Sequence, residues 1–260
     1  MITQKRRTAG IRIIGDGVNL QLDPGPGALV HSIEEGLDPG KVRAVLVSHC
    51  HPDHYTDAEV FVEAMTHGMT RKQGLLAAPK SVLEGGKACE VSISSYHQQM
   101  VEKRIEVKPG LDFEVGPVNV STTEARHTDP EAVGFRFRTE FGDFAYTSDT
   151  EYFNEIAKYY ENVRLLALCV MRPSGRPWKG HMSTEDAIKI ISEAHPERAV
   201  MTHLGMSMLL QGPEKEAKII QDKTGVTTIA AVDGMTVDFG ETMEIRTGKG
   251  KDQRDLTGFL

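Results

Sequence analysis

Short apolar runs alternate along the chain with polar stretches of helical period, and glycine and proline punctuate them. Gly10 to Asp23 reads as two short strands around a turn at Gly15, Asp16 and Gly17. The next residues, Asp23-Pro-Gly-Pro-Gly27, form a sharp loop in which glycine supplies unusual backbone angles and proline adds stiffness. A short helix is expected near Ala28 to Glu35, a buried strand from Arg43 to Ser48, a helix from Asp57 to Thr66 and a strand from Gly74 to Ala78. Between Val91 and Val120 the pattern suggests several short antiparallel strands, turning at Pro109-Gly110 and Gly116-Pro117. Val133 to Thr139 and Phe144 to Ser148 read as a hairpin, and a helix from Glu151 to Tyr159 leads into the strand Arg164 to Val170. Thr184 to Ala194 reads as a helix with Ser183 as its cap and Asp186 at the third position. A strand ending at His203, a helix from Pro213 to Thr224 and short closing strands complete the chain. Strands lead each half, with helices between them. This predicts an α/β fold of two packed sheets with helices outside. No linker, repeat or low-complexity tract divides the 260 residues, so one domain over 1–260 is expected.

Composition narrows the function. A net charge of −7 argues against extended nucleic-acid binding, which needs a broad basic face. Cys50, Cys89 and Cys169 are odd in number and widely spaced, so no disulfide framework is suggested. Reduced thiols in a cytoplasmic protein are expected, with Cys50 in a packing role. No apolar stretch is long enough to cross a membrane.

The chemistry concentrates at His49-Cys50-His51-Pro52-Asp53-His54, directly after the strand Arg43 to Ser48. Three imidazoles and a carboxylate lose hydration when crowded at a strand end, and a divalent cation supplies the missing partner. Neutral imidazole and carboxylate suit zinc, iron or manganese. If the backbone stays extended, alternation points His49 and His51 the same way, while Asp53 and His54, just past the bend, reach a second ion. His127, Asp149 and His203 each follow an apolar run and complete the candidate ligands. Taken singly, each reads more often as a surface or capping residue, and it is their joint placement that points to ligation. Asp23 either steadies the metal loop or caps its own turn. His31, His67, His97 and His195 are read as ordinary polar positions.

This ligand series resembles that of the metallo-β-lactamase-fold hydrolases, whose architecture is a four-layer αβ/βα sandwich with a binuclear site at one edge. The resemblance spans nearly the whole chain. It implies His49, His51 and His127 on one cation, Asp53, His54 and His203 on the other, and Asp149 as the bridge. Gly180-His181-Met182-Ser183-Thr184, with His203 following, is similar to the ribonuclease Z-like phosphodiesterase branch. There the matching histidine polarises the substrate or protonates the leaving oxygen, so His181 is a candidate catalytic residue beside Asp53. The plainer alternative is that His181 helps to cap the following helix. Only 21 residues separate His127 from Asp149, and the expected hairpin fills them. They leave no room for the branch's transfer-RNA-gripping arm.

Arg172, Arg176 and Lys179 lie between a strand end and His181 and form a local positive cluster in an acidic chain. They are candidates for binding an anionic substrate, or else a solvated surface loop. The reading is a binuclear metal-dependent hydrolase with two divalent cations, zinc first and manganese or iron as alternatives. It is expected to act on a small phosphate ester through a metal-bridging hydroxide. A lactone or thioester hydrolase of the same fold, or a metal-containing anion-binding protein without turnover, are the alternatives. A homodimer is the generic expectation for oligomeric state.

Overall fold

The computed structural model describes residues 5–15 and 17–247. The first sheet has five strands in sequence order: β1 (Ile11–Gly15), β2 (Val18–Leu22), β3 (Ala44–Leu46), β4 (Leu75–Pro79) and β5 (Lys103–Val107). β1 and β2 form an antiparallel hairpin, and β2 to β5 run parallel. Asp16 of the hairpin turn lies outside the described residues. The helices between these strands are α1 (Ala28–Glu34), α2 (Pro52–Tyr55), α3 (Ala58–Met65), α4 (Lys80–Glu84) and α5 (Ser95–Gln98).

The second sheet contains β6 (Asp112–Val115), β7 (Val118–Glu124), β8 (Val133–Thr139), β9 (Gly142–Tyr146), β10 (Leu165–Cys169), β11 (Arg198–Thr202) and β12 (Thr227–Ala230). β6 to β9 form an antiparallel meander, whereas β9 to β12 are parallel. Helices α6 (Thr184–Ala194), α7 (Met206–Gln211) and α8 (Pro213–Thr224) belong to this half. A small hairpin, β13 (Thr236–Phe239) and β14 (Met243–Arg246), packs near Leu165 and Val200.

Alternation of side chains explains the layering. Leu20, Leu22, Leu46 and Ala77 of the first sheet face Val120, Phe135, Phe137, Ala167 and Cys169 of the second. Val45, Leu76 and Ala78 point the other way, against Phe61, Val62 and Met65 of α3. On the far side Leu166, Leu168, Ala199 and Met201 pack under Ile190 and Ile191 of α6 and Ile220 of α8. The result is the expected αβ/βα sandwich. The Ser183 cap is a complete reciprocal box with Asp186.

Several local expectations are corrected. β5 is parallel to β4 and belongs to the first sheet, and residues 95–98 are helical, so 91–120 is not an antiparallel set. Only Ile156–Tyr160 winds, as a 3-10 turn, where a helix from Glu151 was expected. The preceding residues are engaged elsewhere: the Glu151 N–H donates to the Arg126 carbonyl, and the Arg126 guanidinium lies 4.2 Å from the Phe153 ring centroid. Met206 to Gln211 is a helix in its own right.

Cys50 and Cys89 form a disulfide across 39 residues, contrary to the expectation of reduced thiols and a packing role for Cys50. Sequence distance hid the pair, and the loop between α4 and α5 folds back over the end of β3. Cys169 is free and buried. Among the described residues no helix is long and apolar enough to cross a membrane.

Candidate metal centre

The donors come from strand ends on both sheets. Asp23 follows β2, His49 to His54 follow β3 and form the turn into α2, and His127 follows β7. Asp149 follows β9, His203 follows β11, and His181 precedes α6. Asp23, Ser148 and His203 all take left-handed backbone angles, with φ of 45°, 58° and 54°. Non-glycine residues adopt these at a cost of roughly 1–2 kcal/mol each. Three such residues at neighbouring strand ends mark a region where side-chain direction overrides backbone preference.

Hydrogen bonds outside the cluster fix which ring nitrogen points inward. His54 Nδ1 donates to Asp23 Oδ2 at 2.8 Å, and His127 Nδ1 donates to the Gly180 carbonyl at 2.7 Å. Ser48 Oγ donates to Asp23 Oδ2 at 2.6 Å and therefore accepts from His49 Nδ1 at 3.0 Å. In its neutral form each of these imidazoles carries its proton on Nδ1 and turns Nε2 inward as the donor atom. Asp23 also receives the Ser48 N–H at 2.7 Å and the Tyr146 hydroxyl at 3.0 Å, so its carboxylate orients ligand candidates instead of capping its own turn.

The inward atoms form two groups. His49 Nε2 and His127 Nε2 each lie 3.0 Å from His51 Nδ1. Lone pairs this close repel unless a cation or proton sits among them. The second group is Asp53, His54 and His203, with His203 Nε2 at 3.3 Å from Asp53 Oδ2 and His54 Nε2 at 3.9 Å from it. Asp149 lies between the two. It is only 2% exposed, and its Oδ2 is 3.3 Å from His203, 3.7 Å from His54 and 3.9 Å from His127. The seven candidates named from the sequence therefore converge, in the two sets that the resemblance implies.

These donors fit divalent cations. His54 Nε2 and Asp149 Oδ1 are buried with no hydrogen-bond partner, a costly state that metal coordination relieves. The donor set of imidazole and carboxylate is that of zinc, manganese or iron. Burial, reinforced by the neighbouring imidazoles, holds His49 well below the usual histidine range. Burial alone would lower His54 too, but the carboxylates of Asp149 and Asp23 outweigh it and push it up to about 9. Burial would raise Asp53, and its hydrogen bond to His203 with the charges of His54 and His203 instead holds it below the usual carboxylate range.

His181 sits beside this cluster, where with His127 and Asp149 it forms a further group of donors within reach of one ion. Its Nδ1 is 3.6 Å from Asp149 Oδ2 and its ring centroid is 4.9 Å from that of His127. The imidazole makes no cap to α6, whose first turn is served by Ser183. Burial pushes it down to about 4, partly opposed by Asp149.

Arg172, Arg176 and Lys179 stand on the adjoining loop and contact none of the seven donors. Arg172 Nε donates to the Arg176 carbonyl at 2.8 Å, and its guanidinium lies 5.0 Å from the Trp178 ring centroid. Arg126 lines a shallow cavity of about 510 Å³ with His127, Pro109 and Pro130.

Sequence reasoning passed over the supports. Tyr146 and Ser48 carry no motif of their own, and Gly180 stands out only as the start of the His181 motif. Glu216 is buried and accepts from Ser174 N–H at 3.0 Å, Ser174 Oγ at 2.6 Å and Thr184 Oγ1 at 2.6 Å, which pins the basic loop to α6 and α8. Its only signal was an acidic residue on the apolar side of an amphipathic helix.

Comparison with known proteins agrees with this architecture. Residues 19–204 match the Beta-lactamase superfamily domain. Uncharacterized protein MJ1374 of Methanocaldococcus jannaschii is 39% identical over 254 residues, covering 97% of this chain and 92% of the relative. Ribonuclease Z of Methanopyrus kandleri is 29% identical over 140 residues, or 53% of this chain and 46% of that protein. A diphosphatase from the PhnP family superposes with a TM-score of 0.67 at 18% identity, covering 92% of this chain and 87% of that one. The chain belongs to the β-lactamase superfamily and has the metallo-β-lactamase fold.

Proposed function

We propose that the protein is a binuclear metal-dependent phosphodiesterase that hydrolyses a small anionic phosphate ester. The observation that carries this reading is the placement of His181. A half-buried imidazole, beyond the seven ligand candidates but grouped with His127 and Asp149, faces the carboxylate that the two ligand sets share. His49, His51 and His127 would hold one cation, Asp53, His54 and His203 the other, with Asp149 between them and zinc as the first expectation. When bound, two such cations would supply a water nucleophile of lowered pKa and charge stabilisation at a phosphoryl oxygen.

The chain's own residues do the rest. Asp23, Ser48 and the Gly180 carbonyl hold the ligand imidazoles in one tautomer, which keeps the donor set rigid. Asp53 stays ionised, and besides holding a cation it would orient the attacking water. His181, neutral at pH 7, donates a hydrogen bond to the substrate, and an anionic phosphate beside it raises its proton affinity toward that of a leaving-group acid. The ribonuclease Z relative and the PhnP-family diphosphatase both carry names of phosphorus chemistry, which supports a phosphate ester over a carbonyl substrate.

The test is a panel of bis(p-nitrophenyl) phosphate, cyclic nucleotides and lactones. Diester hydrolysis should dominate, and His181→Ala should lower kcat by about 10²–10⁴-fold with full cation content. Higher kcat/KM on lactones, or an unchanged His181→Ala rate on diesters, overturns the reading.

A further inference from the structure

The loop between β10 and α6 is built in an unusual way. Three carboxylates surround it, and each takes a backbone N–H instead of a cation. Glu216 accepts from Ser174, Glu185 from Gly175 at 2.9 Å and Glu151 from Gly180 at 2.9 Å. The cations Arg172, Arg176 and Lys179 are left without an ion pair among the described residues. Elsewhere Arg7, Arg104, Arg126, Arg136 and Arg164 have carboxylate partners, and Arg12 and Arg43 are spent on amide and carbonyl oxygens. Arg172 is engaged with the Arg176 carbonyl and the Trp178 ring, which leaves the charges of Arg176 and Lys179 available for an anion.

The loop also carries Trp178, the single tryptophan of the chain. It is 60% exposed, although its ring area would favour burial. One side of the indole is backed by the Arg172 guanidinium. Its backbone is tied to the catalytic region, because Trp178 and His181 form an antiparallel bridge in which the His181 N–H donates to the Trp178 carbonyl at 3.1 Å. A bare, guanidinium-backed aromatic face therefore stands three residues from His181, with free cations on either side of it.

We propose that Trp178 is a stacking platform for the base of a nucleotide substrate, with Arg176 and Lys179 binding its phosphate charge. A planar π-system on an aromatic ring, with flanking arginine and lysine, is the recurring chemistry of base-tolerant nucleotide binding. The proposal deepens the phosphodiesterase reading by naming nucleotide esters as the substrate class, and it rests on that reading for the position of the scissile bond. The base contact stands separately.

The lone tryptophan gives a readout independent of turnover. AMP titrated into the cation-loaded protein should quench its fluorescence and bind at least tenfold tighter than ribose 5-phosphate. In calorimetry, Trp178→Ala should weaken AMP about tenfold and leave ribose 5-phosphate unchanged. Equal affinities for the two ligands, or an AMP affinity indifferent to Trp178→Ala, overturns the platform. Tight, Trp178-dependent AMP binding without diester hydrolysis supports the platform and sinks only the phosphodiesterase reading. Diester hydrolysis with no preference for a base does the reverse.

Discussion

Single residues set the geometry of the centre. Gly25 shows how indirectly. A glycine in the loop after β2 was expected to serve an unusual backbone angle, and at Gly27, with φ of 87°, it does. Gly25 instead lets the loop touch the Asp53 backbone, and a Cβ there would overlap the Asp53 carbonyl. Gly25→Ala should cost about 1–3 kcal/mol and displace Asp53 as well. Thermal unfolding and cation titration check both effects, and an unaltered cation affinity would mean the loop yields elsewhere. His54 makes a second prediction. It holds a proton up to about pH 9, and a bound cation needs the lone pair that this proton occupies. Apparent cation affinity should therefore fall about tenfold for each pH unit below that point. Calorimetry in buffers of different ionisation heat should detect a proton released on binding at pH 7, with the release fading above pH 9. Absence of that proton at neutral pH refutes the assignment.

At the scale of elements, the strands and long helices were legible because their periodicity is strong, and the motif after β3 was legible because it is continuous. Discontinuous features were not. Asp23 could be a turn cap from its neighbours alone, and only the folded chain brings His54 and Tyr146 to its carboxylate. The β5 strand looked like one of an antiparallel series, yet the register Leu75↔Lys103 makes it a parallel edge strand of the first sheet. Local pattern does not specify the partner strand. The Cys50–Cys89 link belongs to the same class of hidden information. It closes a loop of 39 residues, so by chain entropy its loss should cost about 4 kcal/mol. Urea unfolding of Cys89→Ser against the parent protein measures this, and a shift under about 1 kcal/mol would show that the unfolded chain is already held compact.

For the whole molecule, the metal centre is a clamp between layers. His49, His51, Asp53 and His54 hang from the first sheet, whereas His127, Asp149 and His203 hang from the second. Cations bound there stabilise only the packed sandwich. At a free concentration a hundredfold over Kd, one site contributes about 2.7 kcal/mol. Chelation should lower Tm by about 5–10 °C for a chain of this size. Calorimetry with and without EDTA decides it, and an unchanged Tm would mean that the sheets hold together without help from the donors.

The described strands cross from one sheet to the other once, between β5 and β6. During synthesis the first four donors thus emerge on a half-built layer, long before their counterparts exist. The set of Asp53, His54 and His203 cannot be completed until His203 has left the ribosome and β11 has docked. The full set of seven donors is thereby withheld from nascent and truncated chains, and it is complete only with the second sheet.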